Sequence, residues 1–328
     1  VIDWRLPENR REAFIRFYSF HLKYKSHPGC VYALLPAIAK DFDEEQRAWL
    51  VWLNGNTQNA VTSMLLLEAA PRPQEWKRAV DFWNEHFREL EWDTDRRHQK
   101  SRFGQATEAW ATEWADRDWP TDWSSAWAFA KGQPYMGRLS AWSMLEYARI
   151  LLPGVPDAAE WLLEDQKGSQ SHRNGLALVK GYDSVYWEPE VADMMGIVDE
   201  LTEFGDDLLV EARERNPGNP DVTRLTMESA LCTYKSWHKP NRRYPNVYAD
   251  MMYNRIRRAE ARFGPRFELL WETRRQHLPE HLRLEDNPLD PGLCSVKQNH
   301  YLLTGEPIMM HRDYPDMYSS FNQNLDLL

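Results

Sequence analysis

The spacing of apolar residues constrains this chain more than any other feature. They recur at three and four positions along almost its whole length, and no sustained alternation of apolar and polar residues breaks the pattern. An all-α fold follows, a multi-helix globular bundle with irregular loops and a C-terminal tail. The periodicity predicts a first helix over residues 10–25, with Phe14, Phe17, Tyr18, His21 and Leu22 on one face. Further helices are expected over 30–42, 44–53 (capped by Asp43), 58–70 and 73–90. Residues 92–103 are polar and basic and read as a loop or mobile arm. The tryptophans from Trp110 to Trp127 suggest two short helices broken at Trp119-Pro120, and helices are then expected over 139–152, 158–163, 169–180 and 189–214. Those over 222–237, 245–263, 266–276 and 294–303 complete the set. Asn216-Pro217-Gly218-Asn219-Pro220 is the clearest stop, so the expected division is a main helical domain over 1–216 and a basic helical subdomain with the tail over 217–328.

Composition excludes several classes. With 42% hydrophobic residues, including 16 Trp, 14 Tyr and 12 Phe, the chain can bury enough surface to offset its ordering entropy, so disorder is ruled out. Its three cysteines, Cys30, Cys232 and Cys294, lie too far apart in sequence for a disulfide framework or a zinc spacing, which makes a reducing compartment the default. No apolar run approaches the ~18 residues of a membrane span, and the opening Val1-Ile2-Asp3-Trp4-Arg5 lacks the basic and apolar parts of a signal peptide. A soluble, cytoplasmic protein without a membrane partner is expected. The formal net charge of −10 conceals an uneven distribution. Residues 183–214 hold eleven acids and one base, whereas 235–275 hold eleven Lys/Arg and four acids. Local potential governs attraction to a polyanion, so the acidic total does not exclude a nucleic-acid partner.

The sequence lacks a phosphate loop ending in Lys-Ser/Thr, a G-x-G-x-x-G after a strand, an H-E-x-x-H and a G-x-S-x-G. Activation of a substrate with the protein's own ATP is therefore not expected. Its ten histidines show no metal-ligand spacing, and no metal site or cofactor is predicted.

What remains is a set of polar constellations. Trp52-Leu53-Asn54-Gly55-Asn56-Thr57-Gln58-Asn59 carries four carboxamides in six positions. Each presents a donor beside an acceptor, which suits a nucleobase edge; termination of one helix and capping of the next accounts for Asn54 and Asn56 equally simply. His27-Pro28-Gly29 follows Lys23 and Lys25, as a phosphate cradle or as a plain helix stop with its C-terminal cations. Ser169-Gln170-Ser171-His172-Arg173-Asn174-Gly175 reads as an anion site at a helix start or as a capped surface helix. Near the end, Cys294 has Lys297 and His300 nearby, which would activate a thiol that is otherwise an inert buried one, and Arg312 and Asp313 follow. The tryptophans read as core. Arg242, Arg243, Arg255, Arg257, Arg258 and Arg262 favour the DNA backbone over a solvated face, because few acids adjoin them in sequence.

Three segments together resemble a known family. Phe17-Tyr18-x-Phe20-His21-x-x-Tyr24-x-Ser26-His27-Pro28-Gly29, the Trp52–Asn59 run, and Lys297-Gln298-x-x-Tyr301-Leu302 with Tyr314-Pro315 are similar to bacteriophage amino acid:DNA transferases, also called alpha-glutamyl/putrescinyl thymine pyrophosphorylases. The resemblance spans nearly the whole chain. It implies a DNA hypermodification step in the host cytoplasm during infection, in which an amine displaces pyrophosphate from pyrophosphorylated 5-hydroxymethyluracil. The partners would be double-stranded DNA carrying that activated pyrimidine and an amino acid or amine donor. A divalent cation could accompany pyrophosphate, and the sequence sets no oligomeric state.

Residue roles follow from the demands of that chemistry rather than from known family assignments. The base must leave the stack, the leaving group needs cations, and the ammonium nucleophile must lose a proton. Asn56, Gln58 and Asn59 would read the base edge, with Tyr24 stacking on it. Lys25, Arg173 and Lys297 would hold pyrophosphate. His27 or Asp313 would take the proton, Arg312 would grip the amino-acid carboxylate, and Cys294 could add transiently to the pyrimidine ring; direct displacement serves equally well. A helical base-flipping glycosylase and a non-catalytic phage DNA-binding protein are the competing readings.

Overall fold

The computed structural model describes residues 3–26, 31–164, 170–182, 194–235, 238, 248–280 and 283. Thirteen α-helices and no strand occur among them, so the fold is all-α. The helices are α1 (Arg10–Lys23), α2 (Val31–Ile38), α3 (Glu44–Thr57), α4 (Ala60–Ala69), α5 (Trp76–Glu85), α6 (Arg97–Glu113) and α7 (Trp123–Gly132). They continue with α8 (Arg138–Leu151), α9 (Ser171–Lys180), α10 (Met194–Arg215), α11 (Arg224–Lys235), α12 (Tyr248–Phe263) and α13 (Glu268–His277).

The chain divides into two compact units. The first comprises Val1–Pro28, Glu160–Tyr253 and Arg275–Leu328, and the second comprises Gly29–Ala159 and Asn254–Arg274. The stop at residues 216–220 falls inside the first unit, and the division runs within α12 and α13.

In the first unit the expected stripe of α1 is buried: Phe14, Phe17, Tyr18, His21 and Leu22 are all inaccessible or nearly so. Phe14 stacks on Tyr18 at 6.1 Å and meets Tyr234 of α11 edge-on at 5.4 Å, a geometry that suits the aromatic quadrupole. Helices α9 and α11 approach at Gly175, where a Cβ would lie 2.5 Å from the Leu231 carbonyl oxygen. Residues 158–163 are not the expected helix. Trp161 and Leu163 enter the core from irregular chain, Leu162 adopts φ +50°, and the Trp161 indole donates 2.9 Å to Asp206. A left-handed residue ends any helical run there, and burial of the two apolar side chains fixes the irregular path.

In the second unit, Asp43 and Gln46 close a capping box at the start of α3. The helix was expected to stop before Asn54-Gly55-Asn56, yet it continues to Thr57. Trp49 and Trp52 are buried and stack on Trp110 of α6 at 5.4 and 5.2 Å, and Gly55 lies against Met144 of α8. Burying each indole contributes on the order of 3 kcal/mol, which outweighs the roughly 2 kcal/mol lost by running a helix through Asn-Gly-Asn.

The expected arm at 92–103 is likewise largely helical. Residues 94–96 form a 3-10 turn and α6 begins at Arg97, with Phe103, Ala106, Thr107 and Trp110 buried along one face. Two other helices are shorter than expected. Residues 73–90 yield a 3-10 turn and α5 ending at Glu85, and 30–42 yield α2 over Val31–Ile38.

Candidate functional site

The carboxamide run closes α3 and opens α4 in the second unit. Gln58 ends α3 in the left-handed region at φ +46°, and the Asn59 side chain caps α4 by accepting from the Val61 N–H at 3.2 Å. Asn59 also donates 2.9 Å to the Glu91 carbonyl, which Thr62 reaches at 2.6 Å. Asn54 accepts from Ser63, and Asn56 donates 3.0 Å to the Trp52 carbonyl. These amides therefore serve local structure, but not as the capping account had it: Asn54 and Asn56 lie within α3, and it is Gln58 that ends α3 and Asn59 that caps α4. Their hydrogen-bonding capacity is not exhausted, however: Asn54 Nδ2, Asn56 Oδ1 and Gln58 Oε1 are buried atoms without a protein partner. Each such atom forfeits about 1–3 kcal/mol unless water or ligand meets it.

A shallow cleft in the same unit is lined by Asn59, Thr62, Glu91, Arg255, Arg262 and Phe263. It gathers one of the expected base-reading amides with two of the expected backbone arginines. Arg255 is 8% exposed, donates 2.9 Å to the Gln58 carbonyl and pairs with Asp93. Arg258 grips Glu91 through Nε and Nη2, both at 2.9 Å, and Arg262 reaches the same carboxylate at 2.7 Å. Arg257 is exposed and lies 3.4 Å from Glu260. The scarcity of acids near these arginines in sequence does not hold in space, because Glu91 and Asp93 come from more than 160 residues away.

Burial pushes the Glu91 carboxyl up, but Arg258 and Arg262 outweigh it and hold the group below its ordinary value. A depressed folded value means that Glu91 stabilises the fold above about pH 4.3 and loses that contribution as pH falls through the depressed value. Acid unfolding is therefore expected to be steeper for the wild type than for Glu91→Gln, with the variant less stable at neutral pH; parallel acid titrations followed by circular dichroism check this.

Arg96, which reads in sequence as part of a basic arm, is fully buried. Its Nε donates 3.2 Å to the Gly55 carbonyl, Nη2 lies 3.5 Å from the Leu139 carbonyl, and Nη1 has no partner. Burial lowers its pKa, opposed by Tyr147, Asp93 and Asp95, while burial raises that of the enclosed Tyr147. No signal in the local sequence distinguishes Arg96 from its exposed neighbours Asp95 and Arg97.

The first unit holds the other described candidates. Tyr24 is buried against Phe20 at 4.8 Å with the Lys23 ammonium over its ring, and Lys25 pairs with Asp221. Arg173 is buried and donates 3.1 Å to the Leu163 carbonyl. Beside it in sequence, His172 lies 3.5 Å from Glu228 with both side chains buried, and Lys235 donates 2.6 Å to Ser171. Glu228 carried no signal in sequence, since it is one acid on the polar-looking helix α11.

His27, Cys294, Lys297, Arg312 and Asp313, together with Arg242 and Arg243, lie outside the described residues, as does the expected helix over 294–303. Among the described residues no three His, Cys, Asp or Glu side chains gather as metal ligands would, and no helix is long and apolar enough to cross a membrane.

The geometry defines an all-α protein with an amide and arginine cleft in one unit and a buried, charge-rich helix pair in the other. The chain matches no protein-family model and no solved structure. It is 27% identical over 344 aligned positions to a serinyltransferase of Salmonella phage ViI, and the alignment covers 94% of this chain and 84% of that relative.

Proposed function

We propose that this chain is a phage amino acid transferase that joins the amine of an amino acid to pyrophosphorylated 5-hydroxymethyluracil in DNA, with release of pyrophosphate. The observation that carries the reading is likeness to a serinyltransferase along 94% of the chain. The three sequence segments similar to amino acid:DNA transferases supply the DNA target and the leaving group. The missing ATP-binding loop agrees with a substrate activated beforehand.

In the reaction the amine nitrogen forms a bond to the exocyclic methylene carbon as the bond from that carbon to the pyrophosphate oxygen breaks. The electron pair leaves with pyrophosphate, and the nucleophile's ammonium must first lose a proton. Unpaired amide atoms at Asn56 and Gln58, with Asn59 in the neighbouring cleft, suit the donor and acceptor edge of an extruded uracil. Tyr24 is the stacking candidate. Arg255, Arg257, Arg258 and Arg262 approach the DNA backbone in this reading, and Arg242 and Arg243 are assigned the same role. Lys25, Arg173 and Lys297 offset the charge on pyrophosphate, and His27 or Asp313 removes the proton. The chain acts on phage DNA in the cytoplasm of the infected cell.

The test incubates the protein with pyrophosphorylated hydroxymethyluracil DNA and serine or glycine. Pyrophosphate should appear together with an aminoalkylated nucleoside in the digest. Failure with all twenty amino acids and simple diamines rejects the reading, and abasic sites in place of pyrophosphate would mark a glycosylase.

A further inference from the structure

Among the described residues only two Phe, Tyr or Trp side chains are exposed, Phe87 at 41% and Tyr135 at 45%. Both belong to the second unit, and each lies under a cation of α6. The Lys100 ammonium sits 4.8 Å from the centre of the Phe87 ring, and the Arg102 guanidinium 5.1 Å from that of Tyr135. Positions 100 and 102 project to opposite sides of an α-helix, so the two rings flank α6. Between them lies its solvent face, where Arg97, His98, Ser101 and Gln105 are exposed with Arg102. A lone exposed apolar residue is ordinary; a pair of rings astride one basic helix face is a surface.

Both rings are held in place. Phe87 meets Trp83 edge-on at 5.5 Å. Tyr135 follows Pro134 in a turn closed by the Met136 N–H, which donates 3.1 Å to the Gln133 carbonyl. Its φ of +60° is a value that this position of a turn normally reserves for glycine or asparagine. Gln133 and Met136 are buried, and the Trp110 indole donates 3.1 Å to the Gln133 side chain, so the turn is anchored on both sides of the tyrosine. Burial of the ring does not offset the strain, because the ring stays outside. Strain kept at an exposed aromatic calls for a contact as its reason.

Charge selects the occupant. From Arg97 to Gln105 the sequence holds two Arg, a Lys and a His, and no acid. Among the described residues no carboxylate pairs with Arg97 or Arg102, whereas Arg255, Arg257, Arg258 and Arg262 are each tied to Glu91, Asp93 or Glu260. A polyanion meets cations without carboxylates on α6, and on α12 it shares each arginine with an acid. Exposed rings beside such cations suit a single strand, whose bases can stack on them; a duplex keeps its bases stacked on one another. We propose that the solvent face of α6, with Phe87 and Tyr135, binds single-stranded DNA, its bases stacking on the two rings and its phosphates meeting Arg97 and Arg102. The choice of DNA over RNA rests on the transferase reading above, and the inference gives that reading its substrate class: a strand unpaired where the protein grips it.

The test is fluorescence anisotropy of the full chain with labelled oligothymidylate and with the duplex it forms with oligoadenylate, in the absence of donor and activated base. The single strand should bind at least tenfold more tightly than the duplex. Phe87→Ala and Tyr135→Gly should each weaken single-strand binding about tenfold without altering its salt dependence. Tyr135→Gly also relieves the backbone, so its thermal midpoint should hold or rise, and loss of folding cannot imitate the effect. Arg97→Gln combined with Arg102→Gln should flatten the plot of log K against log salt by roughly 1.4, at about 0.7 for each phosphate contact to a single strand. Leu269→Ala, which removes an exposed apolar side chain of α13, should leave binding within twofold.

Equal affinity for duplex and single strand overturns the proposal, as does tighter binding of oligouridylate than of oligothymidylate. So do aromatic and arginine variants that bind the strand as the wild type does. Each of those results leaves the transferase reading standing. A wild type that binds the strand as expected but transfers no amine keeps this surface and loses the transferase reading.

Discussion

Gly175→Ala is expected to destabilise the first unit by about 3 kcal/mol, a large share of what holds a domain together. On an exposed helix the same change would gain close to 1 kcal/mol, because alanine restricts the unfolded chain and favours helix. Here the added Cβ would lie 2.5 Å from the Leu231 carbonyl oxygen and 2.8 Å from its carbon. Both atoms belong to the backbone of α11, so no rotamer change relieves the clash, and α9 and α11 must move apart. The helices carry Leu176, Ala177, Leu231 and Tyr234 in the same core, and separation loosens all of these contacts in an interior packed as densely as an organic crystal. Gly55→Ala is the control. Its Cβ would come within 2.6 Å of Met144, but the atom is the terminal methyl of a flexible side chain that can turn aside. Its cost should stay below about 1 kcal/mol. Urea unfolding of both variants measures the contrast, and an unshifted midpoint for Gly175→Ala would mean that α9 and α11 do not approach this closely.

Where the fold was legible in sequence, the information was local. The stripe of α1, the cap at Asp43 and the run that becomes α8 each reside within a few turns of one helix, and the periodicity of apolar residues conveys them directly. The illegible parts depended on partners distant in sequence. Asn54-Gly55-Asn56 has the composition of a break, and it is helical because Trp49 and Trp52 find Trp110 and Gly55 finds Met144. The arginines of α12 looked surplus because Glu91 and Asp93, which meet them, precede them by more than 160 residues. Arg96 is the sharpest case: flanked by charged and polar residues, it reads as solvated, and only the packing of α3 and α8 around it reveals an enclosed cation. The candidate site shows the same limit. The cluster of amides was visible as composition, but which of their atoms remain unpaired depends on Ser63, Glu91 and Trp52 in three dimensions.

Gln58 allows structural and functional roles to be separated by sign. Its left-handed backbone at φ +46° costs a non-glycine residue about 1 kcal/mol, and its buried Oε1 lacks a partner. Gln58→Gly removes both burdens and keeps the Gln58 carbonyl that accepts from Arg255, so the variant should be as stable as the wild type or more so by about 1 kcal/mol. If the amide reads the pyrimidine edge, the same variant should lose on the order of 10- to 100-fold in kcat/KM for the activated DNA, the range expected when a paired contact to a base is removed. A role confined to ending the helix predicts the opposite pairing: higher stability with undiminished turnover. Asn59→Ala calibrates the comparison, since losing the α4 cap and the bond to Glu91 should lower stability by about 1–2 kcal/mol whatever the chemistry. Thermal melts beside single-turnover transfer measure both quantities on the same samples. Undiminished transfer by a stabilised Gln58→Gly protein would remove this amide from the base-reading set, leaving Asn56 as the other carboxamide with an unpaired acceptor to carry the role.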